Sequence, residues 1–297
     1  MAKTIAVLSN KGGDGKTTTC LNLAYGLASK GRRVLLVDND PQANATSILL
    51  GNDRTTEHSA YAFKENALKM RDSGIDNFTA MYRALEDYVH KLQYETDIHD
   101  VLADKNMVRD AIRPTGISNL DIMPSSCKLA ATDLNLKTQL IGALSAMRSA
   151  LVKVQDDYDY IIIDNSPMEN ALSMNAMASC YKEGDLIIIP TKIDRAGLEG
   201  TYATLHTCYD LVQKEDLPFD VRLLITMKNR NRVDESWIEA FHSIGNDVAF
   251  ETVIRYQAKP VSDSSLQYQI VSAAQPNSSV GSDYCRLVEE ILEMESE

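Results

Sequence analysis

The sequence has few of the features that mark membrane, secreted or metal-binding proteins. Its longest apolar runs, such as "LIIIP" at 186–190, are far shorter than the roughly 18 residues that a membrane span needs. The five cysteines are scattered and form no CxxC pair, which argues against a zinc site or a disulfide framework. The N-terminus lacks the pattern of a signal peptide. We therefore expect a cytoplasmic protein with reduced thiols.

Positive charge is also scarce. The chain has 30 Lys and Arg against 42 Asp and Glu, a formal net charge of -12. This balance argues against a chain that coats nucleic acid uniformly, because phosphate neutralisation needs clustered cations. Any DNA contact must therefore use a local basic patch. With 44% hydrophobic residues, the 297-residue chain can still bury a sizeable core.

Short apolar runs rich in β-branched residues alternate with longer helical patterns. This rhythm predicts a doubly wound α/β fold with a mostly parallel sheet flanked by helices, in a single domain covering 1–297. A helix is expected over 17–30, because Gly31 follows as a typical stop. The runs that we interpret as strands buried on both faces are "TIAVLS" (4–9), "RVLLVD" (33–38), "LDIMP" (120–124), "YIIID" (160–164), "DLIIIP" (185–190), "VRLLITM" (221–227) and "VAFETVI" (248–254).

One region interrupts the alternation. Residues 52–96 contain no strand-like run but carry apolar residues at helical spacing, among them Tyr61, Tyr82 and Leu85. We interpret 52–96 as a helical insertion within the domain. Its apolar faces either pack on the sheet or form a surface for a partner or a second copy.

The stretch "SNKGGDGKTTT" (9–19) directly follows the first predicted strand and opens a helix. In this context glycines let backbone N–H groups converge on an anion, and the helix N-terminus adds favourable partial charge. Lys16 would reach the terminal phosphates and the Thr17 hydroxyl would ligate Mg²⁺. The residues predicted to bind the nucleotide are Gly12, Gly13, Asp14, Gly15, Lys16, Thr17 and Thr18.

This loop resembles that of the deviant Walker ATPases typified by ParA, Soj and MinD, spelled KGGxGK[ST]. The resemblance implies a P-loop fold, ATP and Mg²⁺ as cofactors, and a homodimer that sandwiches the nucleotides between its subunits. It also implies that Lys11 reaches the phosphates bound by the partner subunit. A second cation is useful there, because phosphoryl transfer develops negative charge on the phosphate oxygens. A solvated loop lysine is the alternative interpretation.

Two further stretches extend the resemblance. "RVLLVDNDPQANAT" matches the family pattern LLVDxDPQxNxT, and the analogy assigns to Asp40 the positioning or deprotonation of the attacking water. Asp38 would support the magnesium shell or the loop. "DYIIIDNSPMEN" corresponds to the Walker B strand, in which Asp164 would hold Mg²⁺, usually through water. Simple turn chemistry is the alternative for the Asp-Asn-Asp-Pro run.

The acid inside the phosphate loop, Asp14, occupies the variable position of the family pattern. Because backbone N–H groups bind the phosphate in such loops, we expect the Asp14 side chain to point outward. The alternative is that Asp14 faces the partner subunit and pairs with a cation there.

The family resemblance also implies what the nucleotide is for. ParA-type members bind nonspecific DNA as ATP dimers and are stimulated by a ParB-type centromere-binding protein. The candidate DNA-binding residues here are Lys228, Arg230 and Arg232 in "KNRNR", together with Arg255 and Lys259. A solvated basic loop is the alternative for each of them. No helix-turn-helix reader is expected before the first strand, and the acidic end "LVEEILEMESE" argues against membrane attachment.

We therefore predict a DNA partition ATPase that dimerises on Mg-ATP, binds nonspecific DNA and hydrolyses ATP slowly. Such a protein would be cytoplasmic and associated with the nucleoid when ATP is bound. The alternative, from a different class, is a small-molecule ATP-dependent ligase or phosphotransferase of the same fold.

The two lysines of the loop should fail in different ways. We expect Lys16→Ala to lose nucleotide affinity, because its ammonium group would contact the phosphates of its own subunit. Lys11→Ala should bind nucleotide but lose hydrolysis, because Lys11 would act on the partner's phosphates. Titration with a fluorescent ATP analogue and a phosphate-release assay measure the two properties. Equal nucleotide affinity in Lys16→Ala and the parent would contradict the phosphate assignment.

Overall fold

The computed structural model describes residues 1–51, 57–91, 94–138, 144–167, 169–245, 247–267 and 269–295. In these ranges seven strands form one sheet: β1 (Lys3–Val7), β2 (Val34–Asn39), β3 (Arg113–Pro114), β4 (Leu120–Met123), β5 (Tyr160–Asn165), β6 (Leu186–Lys192) and β7 (Asp220–Thr226). The strand order is β3-β4-β2-β5-β1-β6-β7, and only the β3–β4 pair is antiparallel. The fold is thus the doubly wound α/β architecture of a P-loop NTPase, as the alternating pattern predicts.

Helices flank the sheet. Those in the described ranges are α1 (Lys16–Ser29), α2 (Asn44–Leu50), α3 (Glu57–Asp72), α4 (Asn77–Lys91), α5 (Ile98–Ala103), α6 (Val108–Ala111), α7 (Leu129–Thr138), α8 (Ala146–Leu151), α9 (Ala171–Ser179), α10 (Arg195–Glu215), α11 (Arg232–Ile244), α12 (Ala258–Leu266), α13 (Val271–Ala274) and α14 (Ser279–Glu293), with a short 3₁₀ helix at Lys105–Met107. Within the same ranges, no helix combines the length and apolar character required to cross a membrane.

The strands are apolar throughout because both faces of the sheet are covered. Leu35 and Val37 of β2 pack with the helices on one face, whereas Val34 and Leu36 pack with α1 and α14 on the other. Successive side chains of a strand point to opposite faces, so continuous apolar runs are needed in a sheet covered on both sides. This pattern made the central strands predictable.

The register of the central strands assembles one functional edge. Val7 at the end of β1 pairs with Asp164 of β5, and Asp38 of β2 pairs with the same residue from the other side. Since all three strands run parallel, their carboxyl ends meet where the loop after β1 begins. The acids of two separate motifs therefore lie beside the glycine-rich loop.

The prediction of a seventh long strand at 248–254 is wrong. This segment makes only isolated bridges, between Leu223 and Ala249 and between Lys228 and Arg255. Between the two bridges, the N–H groups of Glu251 and Thr252 donate to the Glu290 carboxylate of α14. The helix thus takes the hydrogen bonds that a continuous ladder with β7 would need.

The region 52–96 contains helices α3 and α4, which pack against each other. Residues 52–56 and 92–93 of this predicted insertion lie outside the described part of the chain. The interpretation that its apolar side chains pack on the sheet is wrong for Tyr61, Tyr82 and Leu85, which are 61%, 55% and 49% exposed. The division into one domain with an insertion, and a partner-binding use of these side chains, stay predictions.

Helix α1, which carries the phosphate loop at its start, packs against α14 through a close approach at Gly26. A Cβ atom on Gly26 would overlap the Val288 Cγ2 methyl group. Helix α1 can approach α14 this closely because Gly26 has no side chain where the β-branched Val288 faces it.

We expect Gly26→Ala to lower the free energy of unfolding by about 1–3 kcal/mol, because overpacking exceeds the gain in helix propensity. Val288→Ala vacates the overlapping volume and serves as the matched partner. In the double variant the loss should be smaller than the sum of the two single losses, as measured by urea unfolding. Strictly additive losses would show that the two positions do not compete for space.

Candidate nucleotide-binding site

The loop between β1 and α1 has the backbone geometry of an anion cradle. Gly13 and Gly15 adopt φ angles of 86° and 91°, which residues with a Cβ rarely reach. Gly15 is the N-cap of α1, and no side chain in the described ranges caps this helix end. The first N–H groups of α1 are thus left for an anion, as in helix-terminal phosphate sites.

Lys16 places a buried ammonium group inside this loop. Its side chain is nearly enclosed, and Nζ donates to the backbone oxygen of Lys11 at 2.6 Å. Burial lowers the pKa of Lys16, while the carboxylates of Asp164, Asp14 and Asp40 act in the opposite direction. The ammonium group therefore balances negative charge from three separate segments.

Asp164 is the acid best suited to a cation. Its side chain is fully buried, and Oδ2 has no partner with full hydrogen-bonding geometry among the described residues. Burial raises the pKa of Asp164, the Asp38 carboxylate adds to the rise, and the neighbouring Thr17 hydroxyl opposes it. No cluster of three His, Cys, Asp or Glu side chains in the described ranges could hold a metal unaided. A site of one or two oxygen donors completed by substrate phosphates is typical of Mg²⁺.

Asp38 is buried as well, but its oxygens are occupied. Oδ2 accepts hydrogen bonds from the backbone N–H and the hydroxyl of Thr46, at 2.8 and 2.7 Å, and Oδ1 accepts from the N–H of Asp40 at 3.2 Å. Burial raises the pKa of Asp38, and these donors oppose the rise. Of the two roles expected for Asp38, the geometry fits support of the loop better than direct metal binding.

Asp40 is held at the end of β2 by contacts from both sides. Its Oδ1 accepts the N–H of Gln42 at 2.9 Å, and its backbone oxygen accepts the Ser125 hydroxyl at 2.7 Å. The same Ser125 donates its N–H to the Thr46 hydroxyl, so the ends of β2 and β4 are joined. These bonds fix the position of Asp40 at the end of β2.

The expectation that the Asp14 side chain points outward is wrong. Asp14 is 2% exposed, and its Oδ2 accepts the Ser9 hydroxyl at 2.9 Å. Its backbone oxygen accepts the Thr226 hydroxyl at 3.0 Å, which anchors the loop to the end of β7. The carboxylate turns inward because a hydroxyl donor and the Lys16 ammonium group lie inside the loop.

Lys11 forms an ion pair that the sequence did not indicate. Its Nζ lies 3.3 Å from Asp194 Oδ1, and Lys192 Nζ lies 2.6 Å from Asp194 Oδ2. No motif in the sequence indicates a function for Lys192 or Asp194. One local pattern could have pointed to Asp194: an aspartate that follows a buried strand and precedes a helical stretch is a typical helix N-cap.

A cavity of about 230 Å³ adjoins the phosphate loop. It lies between the end of β7, the segment before α12 and the start of α14, and its wall is mainly apolar. A flat apolar ring system could be enclosed there beside the loop. Residues that line this cavity include Gly15, Thr18, Met227, Ile254, Val261 and Val280.

The candidate DNA-binding residues fall into two groups. The structure joins two of them through the backbone bridge between Lys228 and Arg255, but the Arg255 guanidinium group is paired with the buried carboxylate of Asp283, at 2.7 Å. The remaining candidates are exposed, on the loop after β7, at the first residue of α11 and on α12: Arg230, Arg232 and Lys259.

The predicted phosphate and metal residues therefore converge on one edge of the sheet. Lys16, Asp40 and Asp164 lie together, and Thr17 stands beside Asp164. Of the basic candidates, Arg255 lines the cavity that also contacts Gly15 of the loop. Gly15 and Thr18 of the cavity wall belong to the predicted loop, and the stretch after Thr226 was expected near the base. The walls from the segment before α12 and from α14 were missed, because these segments carry no recognisable motif.

Comparison with known proteins gives a consistent result. A family model described as an AAA domain matches residues 2–219. The chain is 34% identical over 257 residues to the sporulation initiation inhibitor protein Soj of Bacillus subtilis, covering 86% of this chain and 84% of that protein. It is 29% identical over 257 residues to the chromosome partitioning protein ParA of Myxococcus xanthus, covering 86% of this chain and 75% of that protein.

Solved structures share the fold at lower identity. Apo McdA from Cyanothece matches with a TM-score of 0.73 and 19% identity, over 98% of this chain and all of that one. Cobyrinic acid a,c-diamide synthase from Mycobacterium smegmatis, with bound ADP and magnesium, matches with a TM-score of 0.71 and 21% identity, over 100% of this chain and 96% of that one.

The buried acids should make the nucleotide-free protein sensitive to pH. Because the folded state raises the pKa of Asp164 above its unfolded value of about 3.9, the ionised carboxylate opposes folding, increasingly so as the pH rises towards the raised pKa. We expect Asp164→Asn to raise the unfolding midpoint by at least about 2 °C at about pH 8, and by less at about pH 5. Scanning calorimetry without nucleotide or Mg²⁺ measures this difference.

Asp185 is the matched control. Burial raises its pKa too, but its carboxylate accepts backbone N–H groups from Thr4, Tyr181 and Lys182. An amide cannot replace all of these acceptors, so Asp185→Asn should destabilise the protein at both pH values. The difference in unfolding midpoint between Asp164→Asn and the parent should be larger at the higher pH. If it is not, the conclusion that the ionised Asp164 carboxylate destabilises the folded protein is contradicted.

Proposed function

Because the chain belongs to the ParA/Soj/MinD family of partition ATPases, we propose that it is a DNA partition ATPase that closes as a dimer on Mg-ATP. The observation that carries the proposal is the glycine-rich loop with Lys11 and Lys16, assembled beside Asp40 and Asp164 on one sheet edge. An acid at each of two strand ends and two lysines in the loop suit hydrolysis of a bound triphosphate.

The cofactors are ATP and Mg²⁺, and the residues present fit both. The loop glycines and the uncapped start of α1 suit the phosphates, and the mainly apolar cavity beside Gly15 suits the adenine. The buried Asp164 oxygen that has no full partner, with Thr17 beside it, suits the metal. When bound, Mg²⁺ neutralises charge on the phosphate oxygens.

The protein's own side chains then have separate tasks. Lys16 would exchange the backbone oxygen of Lys11 for phosphate oxygens as its partner. Asp40, held by the Gln42 N–H, would accept or orient a proton of the attacking water. Asp38 would keep the segment after β2 in place through Thr46.

Dimerisation would complete the site. We assign to Lys11 the role of contacting the phosphates held by the partner subunit, by analogy with the family loop that it matches. A site that is complete only in the dimer links ATP binding to association. Hydrolysis would then return the protein to the monomer.

DNA binding would follow from dimerisation. The exposed cations Arg230, Arg232 and Lys259 would contact the phosphate backbone without reading bases, and their exposure supports this role. Arg255 is less available because of its ion pair with Asp283. We propose that a ParB-type partner stimulates hydrolysis and that the ATP-bound dimer associates with the nucleoid.

A ligase or phosphotransferase acting on a small molecule is the alternative. Its support is the fold shared with cobyrinic acid a,c-diamide synthase. Such an enzyme would need a second substrate to be bound at the same edge and would have no need for DNA.

The deciding experiment is a binding assay with random-sequence DNA in the presence of ATP, ADP or no nucleotide. We expect binding only with ATP, and a steep loss of affinity with salt, because binding releases counterions. Replacing Arg230 and Arg232 together with Ala should weaken binding and reduce the salt slope by about 1–2. The control, Lys214→Ala, removes an exposed lysine on α10 and should leave the slope unchanged. Absence of ATP-dependent, salt-sensitive binding by the parent would contradict the proposed function and favour the alternative.

A further inference from the structure

One carboxylate holds two lysines at the start of α10. Asp194 caps this helix by accepting the N–H of Gly197 at 2.7 Å through Oδ1. The same oxygen forms an ion pair with Lys11 Nζ at 3.3 Å, and the other oxygen forms one with Lys192 Nζ at 2.6 Å. The side chain therefore joins the end of β6, the start of α10 and the phosphate loop.

The backbone of the loop is also fitted against α10. The Asn10 N–H donates to the Thr204 hydroxyl at 3.2 Å, and a Cβ on Gly200 would lie 3.4 Å from Lys11 Cβ. Lys11 thus lies along the first turns of α10, and its ammonium group is turned towards an acid of its own subunit. In the dimer proposed above, the same group has to reach the other subunit.

We propose that Asp194 is a positioning residue that holds Lys11 on its own subunit before dimerisation, and that Lys192 neutralises Asp194 once Lys11 leaves. The inference rests on the proposed function, because it concerns the exchange of Lys11 between a carboxylate in cis and phosphates in trans. It adds two residues, Asp194 and Lys192, to those that set the ATP-dependent association.

Lys192 makes this exchange feasible. A carboxylate that loses its only cation beside a phosphate site would carry unbalanced charge near further negative charge. Here the Lys192 hydrogen bond and the Gly197 N–H hold the pKa of Asp194 well below its usual range, and both remain when Lys11 moves. The acid therefore stays ionised and partnered in both states.

The exposure of the pair sets how strongly it can act. The side chains of Lys11 and Asp194 are 32% and 37% exposed, so water screens their attraction. Such partly exposed pairs change an equilibrium constant by a factor of up to about 5. A dimer takes one Lys11 from each subunit, so the effect on association is squared, up to about 25-fold. The pair thus adjusts the ATP concentration range of dimerisation without blocking it.

The first test needs no nucleotide. A double-mutant cycle with Lys11→Met, Asp194→Asn and the double variant measures the coupling of the two side chains in urea unfolding. Asn keeps one side-chain oxygen to cap α10, but it removes the charge and replaces the oxygen that faces Lys192 with an NH₂ group. We expect the coupling to change the unfolding equilibrium constant by about twofold to fivefold. Zero coupling would show that the pair in cis does not exist in solution and would overturn the inference.

The second test measures association at saturating non-hydrolysable ATP analogue with Mg²⁺, by sedimentation over a concentration series. We expect Asp194→Asn to lower the dimerisation midpoint by about 4-fold to 25-fold, because Lys11 is released in advance. Asp194→Glu keeps the carboxylate and should restore the midpoint of the parent. Lys192→Met should raise the midpoint, but it should have no effect in the Asp194→Asn background.

The outcomes separate this inference from the proposed function. A parent that remains monomeric with the analogue contradicts the proposed function and the role of Lys11 in trans. A parent that dimerises, with an unchanged or higher midpoint in Asp194→Asn, contradicts the inference alone. An effect of Lys192→Met that persists in the Asp194→Asn background would show that Lys192 acts on the nucleotide directly rather than through Asp194.

Discussion

A single buried ammonium group, that of Lys16, balances the carboxylates of Asp14, Asp40 and Asp164. Few arrangements tolerate so many acids in a buried position, because removing charge from water is unfavourable unless an opposite charge is near. The strands that supply the acids, the loop that supplies the lysine and the helix that begins at it must therefore be brought together. The geometry of the whole edge depends on this charge balance.

Two fully buried acids of this edge, Asp38 and Asp164, have different hydrogen-bonding environments. Asp38 is surrounded by donors from Thr46 and Asp40 and behaves as a structural group. Asp164 keeps one oxygen without a full partner, and burial raises its pKa. Natural proteins accept such local strain where function requires it, at some loss of stability. This difference supports the proposal that Asp38 holds the loop in place and that Asp164 contacts the metal.

The same edge of the sheet would also link the proposed chemistry to the proposed association. The end of β7 carries the wall of the cavity and continues into the exposed basic loop, while the end of β6 carries Lys192 and Asp194 next to Lys11. The phosphate loop therefore lies directly beside two neighbouring segments, the end of β7 and the end of β6. Under the proposed function, such short connections would let nucleotide, partner subunit and DNA influence one another without a long pathway.

The sequence by itself determined the α/β alternation, the central strands, the glycine-rich loop and the acids at the strand ends. These features are local: they follow from apolar runs, from glycine at left-handed positions and from residues that directly follow a strand. A local pattern can be recognised without knowing which distant segments of the chain pack against it. It was misleading at 248–254, where Glu290 of a distant helix takes the N–H groups of the segment.

Only the tertiary structure decided where side chains point and which charges meet. The inward turn of Asp14 depends on a hydroxyl and an ammonium group inside the loop, and the pair of Lys11 with Asp194 joins positions 183 residues apart. The exposure of Tyr82 likewise depends on what the rest of the fold leaves uncovered. Such contacts arise from the packing of segments that are remote in the chain, so no spacing within the sequence encodes them directly.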